Sequence, residues 1–360
     1  MLQEYIESIS SMNPDSIQFI RDLSSVISSI EEGQRMFATH AYCTDGGVAG
    51  SMLRYSFPDA KIIPIDYWFL NNPIAGPILR DLKWAGIVDL VPFASHPMQF
   101  WVDHHLGAMG EAPNARQIRF DVDGDSGSYQ LYLSKFTKIL PQHLVDLTLM
   151  TRITDTANFH TPPPTEDISS LDELQYTPQQ DQERDRFLYE RKVWLLDDVW
   201  NVITSYKEHQ MFYTGAAKDG FYYLRTYLKE VNELRGERTK ALDIANSLDI
   251  DDCVIFASRE FALDKNSLLR GILLRPETKS VVALNVYEGG VKISLRRSKG
   301  LNERWNSVLQ LNTLAKKMNG GGHAGASGAH TETVEEAVNI VTHWMKERGL
   351  NVIFHDLTNY

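Results

Sequence analysis

Between residues 35 and 103 the chain passes repeatedly from a short apolar run into a histidine or an aspartate, a pattern that narrows its possible folds sharply. Arg35-Met-Phe-Ala-Thr-His40 reads as a buried strand ending on a histidine, and Lys61–Ile65 as a second strand followed by Asp66. Gly86–Val91 reads as a third strand containing Asp89, and Gln99–Val102 as a fourth that runs into Asp103. Gly46, Gly47 and Gly50 mark a turn into a helix through Met52 and Leu53, and residues 14–32 carry Ile17, Ile20, Leu23, Ile27 and Ile30 at helical spacing. Strands alternating with helices predict an α/β fold built on a parallel sheet, which places its chemistry at the carboxyl ends of the strands. His40, Asp89 and Asp103 all fall there.

Further along, residues 143–155 predict a helix ending in Thr-Asp-Thr, and His160–Gln182 is a Pro-, Thr-, Asp- and Gln-rich linker. Residues 183–210 predict one long helix, with Phe187, Trp194, Val199 and Ile203 among its apolar positions. A new pattern begins near residue 215. Strand-like runs at Cys253–Ala257, Ser280–Val286 and Val291–Leu295 precede a helix near 306–318 and then Gly320-Gly321-Gly322-His323. The expected division is a catalytic domain over 1–165, a linker and connecting helix over 166–240, and a substrate-binding domain over 241–360; at 360 residues the chain has room for two cores.

The net charge of −11 argues against a grip on long nucleic acid, whose affinity rests on phosphate neutralisation by a basic surface. Small phosphorylated ligands remain compatible, because bound cations can invert the sign of a local field. Cys43 and Cys253 cannot build a disulfide framework, so a cytoplasmic setting is the expectation. No apolar run is long enough to cross a bilayer, so no membrane association is expected.

Chemistry concentrates in five stretches: His40-Ala-Tyr-Cys-Thr-Asp45, Asp89, Asp103-His104-His105, Asp155, and the glycine run before His323. The first four supply imidazole and carboxylate, the ligands that hard divalent cations prefer. Taken singly, His40 reads as a structural histidine, Asp45 as a turn or helix cap, and Asp155 as a cap. Asp103-His104-His105 is harder to explain structurally, since three ionisable side chains at a sheet edge are costly unless satisfied. A run of three glycines is costly in folding entropy, which favours close backbone approach to a ligand over a plain helix cap. Tyr42, Trp101 and Phe159 lie near these motifs; base stacking and core packing are both open to them, packing being the commoner use.

In this order, and with Ile153-Thr-Asp155-Thr-Ala-Asn-Phe159 as the fourth stretch, the motifs resemble those of the DHH–DHHA1 phosphoesterase superfamily. That group includes RecJ-type exonucleases, nanoRNases, cyclic-dinucleotide phosphodiesterases and phosphoadenosine-phosphate phosphatases. The resemblance covers roughly residues 35–160 and 250–335, and Val291-Lys-Ile-Ser-Leu-Arg296 is similar to the strand that carries a substrate-binding arginine. It implies a parallel-sheet DHH domain joined by a helical linker to a smaller α/β DHHA1 domain. It implies that His40, Asp45, Asp89, His104 and Asp155 ligate metal, with Asp89 bridging, while Asp103 and His105 act as catalytic groups that orient ligands or contact the scissile phosphate. Arg296, Gly320, Gly321, Gly322 and His323 would bind substrate phosphate across a cleft from the metals.

The implied cofactor is a pair of Mn²⁺ ions, with Mg²⁺ as the alternative. The implied reaction is hydrolysis of short linear oligonucleotides, dinucleotides foremost, to mononucleotides, by a chain that could be a homodimer. Alternatives are a phosphomonoesterase acting on a bisphosphorylated nucleotide, a non-catalytic nucleotide-binding protein and a structural scaffold. One departure stands out. The family's first motif has a histidine and two aspartates, whereas HAYCTDGG has only Asp45. Either Cys43 occupies the place of the first aspartate or Gly47 that of the second, which bears on the occupancy of one ion. Asp66 competes with Asp89 as the second motif; Asp89 is preferred because a strand next to that of Asp103 would carry it.

Overall fold

The computed structural model describes residues 21–359 apart from 23, 29, 32, 42, 72–74, 106–113, 122–125, 157–158, 160, 175–181, 260–264, 288 and 299–300. The chain divides into two compact units, one running to Thr161 and resuming over Ile168–Val231, the other comprising Pro162–Asp167 and Asn232–Tyr360.

The first unit holds β1 (Met36–His40), α1 (Thr44–Ser56), β2 (Lys61–Ile65), α2 (Tyr67–Asn71), α3 (Ala75–Asp81), β3 (Gly86–Val88), β4 (Met98–Asp103), β5 (Ala115–Phe120), α4 (Gly127–Ser134), α5 (Gln142–Asp155), α6 (Gln182–Val202) and α7 (Tyr206–Asp219). Its sheet runs in the order β2-β1-β3-β4-β5 with every pair parallel. Alternate residues serve opposite faces: Phe37 joins one apolar cluster, and its neighbours Met36 and Ala38 join the other. Helices therefore cover both faces. In this strand order the direction of winding changes between β1 and β3, and their carboxyl ends diverge into the crevice where open α/β sheets bind ligands.

Glycines in α1 permit its close packing. A Cβ at Gly47 would lie 2.3 Å from the Trp200 ring, and one at Gly50 2.4 Å from that of Tyr213. At Gly46 it would lie 2.1 Å from the backbone oxygen of His40, a neighbour that cannot swing aside.

The second unit holds α8 (Leu228–Ser247), which begins within the first unit, then β6 (Cys253–Arg259), α9 (Lys265–Leu273), β7 (Ser280–Tyr287), β8 (Gly290–Arg297), α10 (Glu303–Val308), α11 (Leu311–Lys316), β9 (Gly321–His323), β10 (Ala326–Thr331), α12 (Val334–Lys346) and β11 (Val352–Asp356). Its mixed sheet has the order β11-β6-β7-β8-β10-β9, parallel from β11 to β7 and antiparallel beyond. Trp344 and Val341 of α12 pack into a core with Leu295 and Ile293 of β8.

Several sequence expectations need correction. The long helix of 183–210 is two helices, because Ser205 caps α7 with a reciprocal capping box to Glu208. The segment 166–240 is not simply a connector: Val193, Leu196, Val199 and Phe212 lie in the core of the first unit. The third strand stops at Val88, one residue before Asp89, and the helix near 306–318 is two short helices. β5 was not anticipated; none of its sequence ARQIRF is buried, and it shows little apolar alternation. Of the helix expected over 14–32, residues 21, 22 and 24–28 are helical and Ile30 is not, while residues before 21 lie outside the described residues.

Replacing Gly46 by Ala should lower unfolding free energy by about 1–3 kcal/mol or more in urea denaturation, since backbone rather than a side chain must yield. Unchanged stability would contradict the close approach of α1 to β1.

Candidate metal centre

Each ionisable residue of the first unit's crevice is delivered by the end of an element. His40 closes β1, Asp103 closes β4 and Asp155 closes α5. Cys43 is the N-cap of α1 and Asp45 lies in that helix's first turn. Asp89 follows β3 directly and sits at φ 61°, a left-handed conformation that Asp tolerates better than most residues and that often marks functional positions. Because Thr39 pairs with Val88 and Val88 with Val102, His40, Asp89 and Asp103 stand at one level across three adjacent strands.

Asp89 joins two groups of side chains. Its Oδ2 accepts from the Cys43 thiol at 2.9 Å and lies 3.8 Å from His40 Nδ1, while Cys43 Sγ and His40 Nδ1 are 3.1 Å apart. Its Oδ1 lies 3.3 Å from His104 Nε2, which is also 3.3 Å from Asp155 Oδ2 and 3.8 Å from Asp45 Oδ2. Asp103 Oδ1 accepts from the backbone N–H of His104 at 2.8 Å and lies 2.7 Å from His105 Nδ1, fixing that ring. Asp45 is held from the far side by the backbone N–H groups of Gly127 and Ser128 at the start of α4. A Cβ at Gly127 would stand 3.0 Å from that of Asp89, so this position is kept bare.

Asp45, Asp89 and Asp103 are fully buried, and no lysine or arginine among the described residues forms an ion pair with them or with Asp155. The Oδ2 of Asp103 is buried without a hydrogen-bond partner among the described residues. Three overlapping sets, His40–Cys43–Asp89, Asp45–His104–Asp155 and Asp89–Asp103–His104–His105, each bring their ligand atoms within 4.8 Å of one another. Buried carboxylates without cationic side chains, converging on imidazoles, fit a divalent cation pair. Asp155 is 18% and His105 24% exposed, so the centre is open to solvent.

Without metal, protons must balance this charge. Burial opposes ionisation of His104, but Asp89, 3.3 Å from its Nε2, and the charges of Asp155 and Asp45 prevail and lift it to about 10. Burial likewise opposes the charge on His105, yet the hydrogen bond to Asp103 and the nearby carboxylates raise it to about 9. Burial also raises Asp45 and Cys43 well above their ordinary values and Asp155 to about 6, the neighbouring carboxylates adding to the effect. Asp89 goes the other way: burial is outweighed by His104, His105 and His40, which hold it below the usual carboxylate range. His40 is lowered, burial outweighing Asp89.

Asp66, the competitor of Asp89, follows the outer strand β2 and belongs to none of these sets. Of the two positions left open in the first motif, Cys43 faces Asp89 and His40, whereas Gly47 packs against Trp200. The anchoring role of Gly127 and Ser128 was missed; the Ser126 N-cap before α4 is its sequence trace. Trp101 is a packing residue, buried against Phe120 with its indole N–H on Leu90 O, and Phe159 stacks on Trp194 at 3.7 Å. Tyr42 lies outside the described residues.

In the second unit most of the glycine run belongs to the sheet. Gly321–His323 form edge strand β9, and Asn319, at φ 55°, supplies the left-handed residue that ends α11. A Cβ at Gly320 would lie 2.0 Å from Gly328 O, so that glycine serves strand packing; Gly321 has open space around it. Arg296 and His323 are both register partners of Ala326, which places them in line across β8, β10 and β9. The side chain of His323 lies outside the described ones.

No family model and no curated protein matches the sequence. Solved structures do. A pGpG-specific phosphodiesterase, PggH from Vibrio cholerae, superposes with a TM-score of 0.57 at 15% identity, over 88% of this chain and 99% of its own. RecJ from Thermus thermophilus in complex with Mn²⁺ gives 0.53 at 13% identity, over 94% of this chain and 56% of its own. A DHH-domain member of the s1p family of ribosomal proteins gives 0.53 at 13%, over 96% and 92%. The chain shares its fold with these structures, one of them a DHH domain, and its ordered motifs resemble those of the DHH–DHHA1 superfamily.

These shifts set the pH response of metal-free protein. A group whose folded pKa is raised contributes most to stability below its ordinary value and loses that contribution as pH rises through the raised one. Melting temperature in chelator should therefore fall as pH climbs through about 6 (Asp155) and again towards about 9 and about 10 (His105 and His104). Asp89, held low, gives way only in strong acid. Metal replaces the lost protons, so the gain in melting temperature on adding Mn²⁺ should grow with pH. A gain that is flat or shrinks with pH would contradict this charge balance.

Proposed function

We propose that the protein is a metal-dependent phosphoesterase that hydrolyses short linear oligonucleotides, dinucleotides first, to mononucleotides. The observation that carries this reading is Asp89, whose two oxygens face His40–Cys43 on one side and His104 on the other, as a carboxylate shared by two cations would. Bound there, divalent ions would supply Lewis acidity and a nucleophile at neutral pH. Asp45, His104 and Asp155 offer only oxygen and nitrogen, the donor set for Mn²⁺ or Mg²⁺.

The chain's own residues have distinct tasks in this proposal. Asp103 fixes His105 through Nδ1 and favours its protonated form, so that His105 can donate a hydrogen bond to a phosphoryl oxygen as charge develops. Asp45 is kept in place by two backbone N–H groups. In the second unit, Arg296, His323 and the backbone of Gly320, Gly321 and Gly322 would bind the substrate's phosphate; β9 is an edge strand, so one side of its backbone is not taken up by the sheet. The net charge of −11 favours short substrates over long nucleic acid, and the likeness in fold to a pGpG-specific phosphodiesterase agrees with that.

The test is a product time course on 5′-phosphorylated RNAs of graded length, from the dinucleotide upward, beside a bisphosphorylated nucleotide. Dinucleotide should be cleaved fastest with Mn²⁺, and His104→Ala or Asp155→Ala should lower the rate by about two orders of magnitude or more, the scale of losing a group that stabilises transition-state charge. Equal rates at every length would remove the dinucleotide preference. Faster release of phosphate from the bisphosphorylated nucleotide would replace diesterase with monoesterase, and undiminished turnover in chelator would sink the metal-dependent reading.

A further inference from the structure

The two halves of the centre differ in chemical hardness. On the Asp45–His104–Asp155 side every donor is oxygen or nitrogen, whereas the His40–Cys43–Asp89 side includes a sulfur. The three donor atoms of that second set form a compact triangle with sides of 2.9, 3.1 and 3.8 Å. Ligands about 2.0–2.3 Å from a tetrahedral ion stand roughly 3.3–3.7 Å apart, so small adjustments would bring Nδ1, Sγ and Oδ2 onto one face of a tetrahedron. The backbone holds the sulfur there: Cys43 is extended, at φ −137° and ψ 150°, and its Sγ accepts from the N–H of Gly46 at 3.2 Å. The adjacent Gly46 is the residue whose Cβ would strike His40 O, so the spacing of Cys43 and His40 is fixed by close backbone contact.

We propose that His40, Cys43 and Asp89 form a thiolate site for a borderline divalent ion of the Zn²⁺ type, so that the working centre is a mixed-metal pair bridged by Asp89. This inference rests on the phosphoesterase reading above and refines its metal content. A thiolate raises affinity for Zn²⁺ or Co²⁺ relative to Mn²⁺, which stands lowest in the first-row series, whereas carboxylate at the same place would favour the hard ion. Binding replaces the Cys43 thiol proton, which leaves to solvent as the sulfur–metal bond forms. The remaining position on the ion stays open, as in zinc sites that do chemistry.

Co²⁺ is the probe, because sulfur coordination to it gives a charge-transfer absorption in the near ultraviolet. Full-length protein stripped of metal should bind two Co²⁺ and show this band; Zn²⁺ should abolish it and Mn²⁺ should not. Cys43→Asp should still bind two Co²⁺ without the band, and the preference for Zn²⁺ over Mn²⁺ in competition titrations should fall at least about tenfold. Cys43→Ser, nearly isosteric, should also lose the band and serves if Cys43→Asp does not fold. Cys253→Ser, altered in strand β6 of the second unit, should keep it. Two Co²⁺ bound without the band in wild-type protein would overturn thiolate ligation and leave the phosphoesterase reading standing. Failure to bind Co²⁺ at all would overturn both.

Discussion

Asp45, Asp89 and Asp103 are buried around His104, with no arginine or lysine paired to them among the described residues. Isolated carboxylates in such surroundings are strongly disfavoured unless something positive or hydrogen-bonding meets them. Much of the first unit can be understood as the answer to that demand. The parallel sheet brings His40, Asp89 and Asp103 to one level, and α1 folds back so closely on β1 that position 46 admits only glycine. The N–H groups at the start of α4 meet Asp45 from a site more than eighty residues along the chain. The protons on His104 and His105 then balance what the backbone cannot.

This organisation also explains what could be read in advance. Strands leading to His40, Asp89 and Asp103 were legible because a buried parallel strand is apolar along its whole length, so an ionisable residue at or just past its end stands out. The choice of Asp89 over Asp66 could be argued from adjacency alone, and β3 does lie beside β4. The anchoring of Asp45 could not be read. Gly127 and Ser128 act through backbone N–H groups, which leave no trace in side-chain chemistry and are brought to Asp45 by tertiary packing alone.

Elsewhere, helical periodicity could not show where one helix stopped. Apolar positions continue across 203–206, so 183–210 reads as a single element until the Ser205–Glu208 capping box is recognised as a start signal. The glycine run is ambiguous for a related reason. Three glycines are costly in entropy wherever they sit, but the need that Gly320 meets is the backbone of Gly328 on a neighbouring strand. β5 escaped notice because an exposed edge strand can be as polar as a loop.

Position 43 shows which features of the centre are rigid and which can vary. Its sulfur accepts from the Gly46 N–H as helix cap, lies 3.1 Å from His40 Nδ1 and donates to Asp89 Oδ2. A carboxylate there could make the same cap, since aspartate is among the preferred N-cap residues. Cysteine therefore changes the softness of one donor without asking the backbone to move. The same exchange at Asp45 would have to replace a carboxylate that accepts from two backbone N–H groups at once, which a single sulfur cannot do as well. At Asp89 it would remove one of the two oxygens that face the two groups of side chains. Of the three positions compared, 43 is the one where a sulfur and a carboxylate could exchange without disturbing the backbone hydrogen bonds around them.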